Sequence, residues 1–177
     1  MKSTMSVEVA APAALLFGLA RDIERWPRLL PHYVRVDADP RGRAADGSLV
    51  ARMVARRPFV EVLGFGLPVA WRARTWAETS PPRLRFVHLG GATNGMDVTW
   101  RIEPIDDGRG CRVSIDHDFR PRLGPWAAFI DRAFTRPIAS RTLATFKALA
   151  EAVAEAAAES AEPGGRSDSG QMANPTT

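Results

Sequence analysis

The strongest constraint on the fold is an alternation of apolar and polar residues in the middle of the chain. Three stretches between residues 71 and 119 repeat with a period of two residues, which is the period of a β-strand with one buried face. In one of them Met96, Val98 and Trp100 share a face, and polar residues lie between them. Turn sequences rich in Pro, Gly and Asp separate the stretches. The pattern predicts a meandering antiparallel sheet with one face covered.

The N-terminal third predicts a strand, then one broken helix or two short helices, and two further strands. Residues 5–9 alternate and predict the first strand, and residues 12–30 have helical apolar spacing. Trp26-Pro27 is expected to end a helix, because proline lacks an N–H and clashes with the preceding turn. Strands are predicted at about 32–38 and 48–57. The residues of the segment 58–68 leave open whether it is a strand or a lid-like loop.

A long C-terminal helix is predicted from about Pro125 to Glu159, because apolar residues recur there at helical spacing. Pro137 lies inside this helix and should kink it, since it cannot donate a hydrogen bond to the carbonyl of residue 133. Residues 159–177 are rich in Gly, Ser, Pro and Asn and predict a disordered tail. The sequence therefore predicts one folded domain over residues 1–158.

Four segments carry a resemblance to a known family: Asp22–Tyr33, Trp71–Trp76, Gly95–Trp100 and Ile138–Leu143. The chain resembles the polyketide cyclase/dehydrase family of the START-like (SRPBCC, helix-grip) superfamily, related to coenzyme Q-binding START proteins. The resemblance implies an α+β helix-grip fold. In that fold a curved antiparallel sheet of about six to seven strands wraps around a long C-terminal helix, with two short helices after the first strand. A pocket for one hydrophobic molecule lies between sheet and helix.

The same resemblance implies candidate catalytic residues. Tyr33 matches an aromatic position of the cyclase pocket, and Arg74 matches a strand arginine proposed to polarise a substrate carbonyl. However, if Trp71 and Thr75 face inward, strand alternation turns Arg74 outward, and Thr75 takes the position of the arginine. A β-bulge would restore Arg74 to the inner face. The sequence leaves open whether Arg74 or Thr75 faces the pocket.

The candidate ligand-binding residues are mostly aromatic, with two histidines among them. His88 and His117 fall on the apolar faces of their strands, either as core histidines bonded to backbone or as polar groups inside the pocket. The full set of candidates is Trp26, Tyr33, Trp71, Thr75, His88, Met96, Trp100 and His117.

Composition and spacing disfavour several classes of function. The chain has 24 basic and 20 acidic residues, but the arginines are scattered among acids, so nucleic-acid binding is not predicted. Its three histidines form no close pair, and its one cysteine forms no cluster, so no metal site is expected. Gly90–Gly95 lacks the lysine of a phosphate-binding loop, and no cofactor is predicted. No apolar run is long enough to span a membrane. The single cysteine fits a reducing compartment, so we expect a cytoplasmic protein.

Three hypotheses of function follow. In the first, the chain binds a hydrophobic molecule, aromatic or isoprenoid, in an internal cavity, and the sequence leaves open whether it also closes a polyketide chain by aldol condensation and dehydration. In the second, it is a non-catalytic carrier of a quinone or lipid. In the third, it is a START-like module that binds the ribosome or another protein, for which the basic charge is the only support. Sequence leaves open whether the chain is a monomer or a homodimer.

Overall fold

Seven antiparallel strands and a long C-terminal helix make up the fold. The structure, a computed structural model, describes residues 1–60, 65–121 and 124–161, without the side chains of residues 57–60, 65–67 and 124. The strands are β1 (Lys2–Val9), β2 (Tyr33–Ala38), β3 (Leu49–Val60), β4 (Phe65–Thr79), β5 (Pro82–His88), β6 (Asp97–Ile105) and β7 (Gly110–Asp118). Their order in the sheet is β1-β7-β6-β5-β4-β3-β2, and every neighbouring pair is antiparallel. The predicted α+β helix-grip fold is confirmed.

The helices contribute to a single layer against this sheet. They are α1 (Ala13–Ala20), α2 (Trp26–Leu29), α3 (Gly124–Ile130) and α4 (Arg136–Ala161). Helix α4 contacts β1, β3 and α1, and its buried residues include Leu143, Phe146 and Ala150. The apolar stripe of α4 and the apolar face of the sheet therefore form one core.

Trp26-Pro27 does not end a helix, contrary to the sequence-based expectation. Helix α1 ends earlier, at Ala20, and a short 3₁₀ turn, Ile23–Arg25, leads into α2. Pro27 lies in the first turn of α2, where the missing N–H has no helical acceptor to lose. The tryptophan is thereby fixed at the start of α2, with its indole N–H donating to the Ala20 carbonyl at 2.9 Å.

The segment 58–68 is mostly strand. Residues 58–60 continue β3, and residues 65–68 belong to β4. Residues 61–64 lie outside the described part of the chain. The register of the two strands shifts between Pro58 and Val60, which marks a bulge.

The C-terminal helix is interrupted just before Pro137, close to the predicted kink. Residues Asp131–Thr135 form a wider π-helical turn between α3 and α4. Such turns are frequent at functional sites, and this one directs Asp131 into the protein. Helix α4 continues to Ala161, two residues past its predicted end; the rest of the predicted tail lies outside the described residues.

Candidate functional site

A cavity opens between the inner face of the sheet and the C-terminal helices. The space open to the centre of a water molecule is about 170 Å³, an order of magnitude more than one water requires. Strands β2 to β7 and the start of α2 supply part of the wall, and the end of α3, the π-helical turn and the start of α4 supply the rest. Ala70 and Ala92 are exposed wall residues and mark the opening to solvent. Aromatic and aliphatic side chains dominate the lining, as is usual for small-molecule sites.

The structure brings seven of the eight candidate ligand-binding residues to this cavity. The seven wall residues are Trp26, Tyr33, Trp71, His88, Met96, Trp100 and His117. Thr75 is buried but does not line the cavity; it lies beside a separate surface pocket that also contacts Ile23 and Leu49. The seven remain predicted ligand contacts, now with a shared location.

Arg74 lies on the opposite face of the sheet from the cavity. Ala73 and Thr75 on either side of it are buried, and the pairing of β4 with β5 runs through Arg74 without a bulge. Strand alternation therefore places the guanidinium in solvent. It lies near enough to Asp46 to add to the lowering of that carboxyl's pKa, which is caused mainly by hydrogen bonds with Ser48. The resemblance-based role of Arg74 at a substrate carbonyl does not fit this position.

A polar cluster that the sequence reasoning did not single out lies beside Tyr33. His32 Nε2 and Thr142 Oγ1 are 2.8 Å apart, and Thr142 donates to the Ile138 carbonyl at 2.8 Å. Because the threonine has only one hydroxyl proton, His32 Nε2 must be the donor of the first bond. Burial raises the pKa of Tyr33, and its interaction with the Thr142 side chain offsets this in part.

His88 and His117 are the other titratable groups on the cavity wall. His88 stacks on Trp71, with ring centroids 5.9 Å apart, and its Nδ1 lies 2.8 Å from Thr93 Oγ1. His117 is 6% exposed, and its Nδ1 has no hydrogen-bond partner among the described residues. A buried polar atom without a partner is costly. The ring of His117 lines the cavity, where an oxygen-bearing ligand could pair with it.

Burial lowers the pKa of each of the three histidines from 6.5 to about 4. For His32 the positive charge of Arg141 adds to this effect, whereas Asp131 and Asp116 oppose it at His117. All three imidazoles are therefore neutral near pH 7. They can accept or donate a hydrogen bond there, but they carry no charge.

These pKa values predict how stability depends on pH. Above pH 6.5, the pKa of a histidine in the unfolded chain, the three histidines are neutral in both states and do not change the free energy of unfolding. Between pH 6.5 and about 4 the unfolded chain binds protons that the folded chain does not. We expect the free energy of unfolding to fall through this window, by up to about 1.4 kcal/mol per pH unit for each histidine. Urea unfolding of the wild type and of His117→Asn at several pH values measures this dependence. If the free energy of unfolding of the wild type falls no more steeply with falling pH than that of the variant, the lowered pKa of His117 is contradicted.

The cavity wall carries no charged side chain among the described residues. Next in sequence to the wall residues Ile130 and Thr135, Asp131 and Arg136 form an ion pair at 2.7 Å, and Ser3 donates to the other oxygen of the same carboxylate at 2.8 Å. Nowhere in residues 1–60, 65–121 and 124–161 do three His, Cys, Asp or Glu side chains gather as a metal site. No described helix is long and apolar enough to cross a bilayer.

Solved structures with the same fold include two aromatase/cyclases. The di-domain ARO/CYC BexL from the BE-7585A biosynthetic pathway is 26% identical, with a TM-score of 0.63 over 83% of this chain. This chain spans only 45% of BexL. The ZhuI aromatase/cyclase from Streptomyces sp. R1128 is 18% identical, with a TM-score of 0.66 over 85% of this chain and 93% of that one. A START superfamily protein from Mycobacterium smegmatis is 18% identical, with a TM-score of 0.60 over 84% of this chain and 98% of that one.

The sequence itself matches a family model. The model describes polyketide cyclases, dehydrases and lipid transport, and it matches residues 1–156. A comparison with curated proteins finds no match.

Proposed function

The chain belongs to the polyketide cyclase/dehydrase and lipid transport family, and we propose that it binds one neutral aromatic molecule that bears a hydroxyl or carbonyl group. Family membership and the aromatase/cyclase structural neighbours indicate a hydrophobic ligand-binding role. The observation that carries the proposal is a cavity with many aromatic side chains on its wall and no charged one among the described residues.

The absence of charge on the described wall argues for a neutral ligand. An anion or cation buried there would lose its hydration without gaining a counter-ion, at a cost of several kcal/mol. A planar aromatic ligand can instead stack against Trp71 or Trp100. Its oxygen would pair with the Tyr33 hydroxyl or with the imidazole of His88 or His117, all of which line the cavity.

A matched pair of probes tests this proposal. 2-Naphthol and 2-naphthoate have the same ring system, but only the second is an anion at pH 7. We expect 2-naphthol to bind at one site and to quench tryptophan fluorescence, and 2-naphthoate to bind at least about tenfold more weakly because of its buried charge. Equal affinity, or tighter binding of the carboxylate, would contradict the proposal.

Catalysis is a second candidate function, favoured by the polar groups that reach an otherwise apolar cavity. In an intramolecular aldol closure, a cavity of this kind holds the reacting carbons together, and proximity can be worth roughly 7–11 kcal/mol. The Tyr33 hydroxyl and the neutral imidazoles of His88 and His117 are the groups able to hold or move a proton on the wall.

Cyclase activity would distinguish wall residues from outer-face residues. With an aromatic polyketide substrate, we expect Tyr33→Phe or His117→Gln to lower turnover about 10²- to 10⁴-fold, as is typical for loss of a general acid or base. Arg74→Ala, on the outer face, should leave turnover unchanged. Loss of turnover in the Arg74 variant alone would contradict this assignment, and a protein that binds the substrate without converting it would be a carrier.

A further inference from the structure

Two large aromatic side chains are exposed at the mouth of the cavity. Trp126 is 41% exposed and Phe129 is 52% exposed, and their rings stack with centroids 5.4 Å apart. We call these two residues the aromatic rim. Isolated exposed apolar residues are ordinary, but a stacked pair of aromatic rings in solvent calls for an explanation.

The aromatic rim is continuous with the cavity. The Trp126 indole N–H donates to the Ala92 carbonyl at 3.2 Å, so this side chain bridges α3 and the loop between β5 and β6. Ala92 lines the cavity, as does Phe134, whose ring meets that of Phe129 at 5.9 Å. An apolar path therefore runs from the interior to the exposed rings.

The segment of the chain that carries Trp126 and Phe129 is rich in arginine. Residues 119–141 contain five arginines and one acid, Asp131, which is buried and paired with Arg136. Arg120 is paired with Asp118, whereas Arg132 is exposed.

We propose that the aromatic rim docks on a membrane surface that contains anionic lipids, and that the ligand enters and leaves the cavity there. Tryptophan and phenylalanine rings partition into the bilayer interface, and nearby arginines are attracted by anionic headgroups. A bilayer also offers an apolar ligand a route that avoids water. An acidic protein partner could form ion pairs with the arginines, but it would not by itself supply an apolar medium at the opening. This proposal rests on the proposed function, since it assumes that the cavity holds a hydrophobic ligand.

Vesicle co-sedimentation tests the docking surface. We expect the wild-type protein to sediment with phosphatidylcholine vesicles that contain phosphatidylserine, and to be released by high salt. Trp126→Ala combined with Phe129→Ala should weaken binding about tenfold or more, and Arg132→Gln should weaken it about fivefold.

Matched controls separate the aromatic rim from general surface properties. Val34→Ala with Val153→Ala removes exposed apolar side chains elsewhere, and Arg109→Gln removes a charge from the turn at the far end of β6. Neither should change vesicle binding. All variants should still bind 2-naphthol, because none of the substituted residues lines the cavity.

Two results would overturn the docking proposal. One is a wild-type protein that binds 2-naphthol but does not sediment with phosphatidylserine vesicles, even if it associates with an acidic protein. The other is an aromatic-rim variant that sediments as well as the wild type. Failure of the wild type to bind 2-naphthol would instead count against the proposed function.

Discussion

Replacement of Trp26 by alanine is expected to destabilise the protein by about 3–5 kcal/mol, the range for loss of a large buried aromatic side chain. Trp26 is 1% exposed, and its ring meets those of Tyr33, Phe86, Trp100 and Phe146 at centroid distances of 5.0 to 5.9 Å. Its indole N–H also holds the end of α1 through the Ala20 carbonyl. The substitution removes these contacts together and enlarges a cavity that is already present.

Urea or thermal unfolding measures this loss, and Trp126→Ala is the matched control. Trp126 is 41% exposed, so its removal should cost about 1 kcal/mol or less. Similar losses for the two variants would mean that Trp26 is not the centre of the aromatic core. Trp26→Phe should recover part of the stability, because it keeps a ring in place but not the indole donor.

Replacement of Ala139 by phenylalanine is expected to abolish ligand binding without unfolding the chain. Ala139 is 7% exposed and lines the cavity from α4. A phenyl ring at this position would enter the cavity and occupy space that the ligand needs. We expect the affinity for 2-naphthol to fall at least about a hundredfold, which corresponds to about 2.8 kcal/mol. Because the ring enters open space, the cost in stability should lie at or below the about 1–3 kcal/mol of overpacking a filled core.

Ala148→Phe provides the control on the same helix, at an exposed position. It adds the same ring and should leave the affinity for 2-naphthol unchanged. Calorimetric titration of the two variants and of the wild type gives the comparison, and circular dichroism shows whether each is folded. Wild-type affinity in a folded Ala139→Phe variant would place the binding site outside the cavity.

Much of the fold could be predicted because it depends on the periodicity of apolar residues and on the turn residues that separate the periodic stretches. The alternation around Trp100 places this side chain on the buried face of β6, and the turn residues between stretches set the order of the hairpins. The apolar spacing of α4 likewise predicts which face packs on the sheet. These signals are local, so a single sequence contains them.

Features that depend on tertiary contacts could not be predicted in the same way. The alternation left Arg74 and Thr75 as alternatives, and only the buried neighbours of Arg74 show that it faces outward. Alternation could not show that Thr75, although buried, lies beyond the end of the cavity. The hydrogen bond between His32 and Thr142 joins residues 110 positions apart in the sequence, and no local sequence pattern predicts it.

Native mass spectrometry of the protein purified from its own host tests the central claim most directly, with extraction and identification of the molecule that co-purifies. We expect one neutral, apolar, oxygen-bearing molecule per wild-type chain, and none on Ala139→Phe purified in the same way. A charged ligand at equal stoichiometry on the wild type, or the same molecule at the same occupancy on the folded variant, would contradict it.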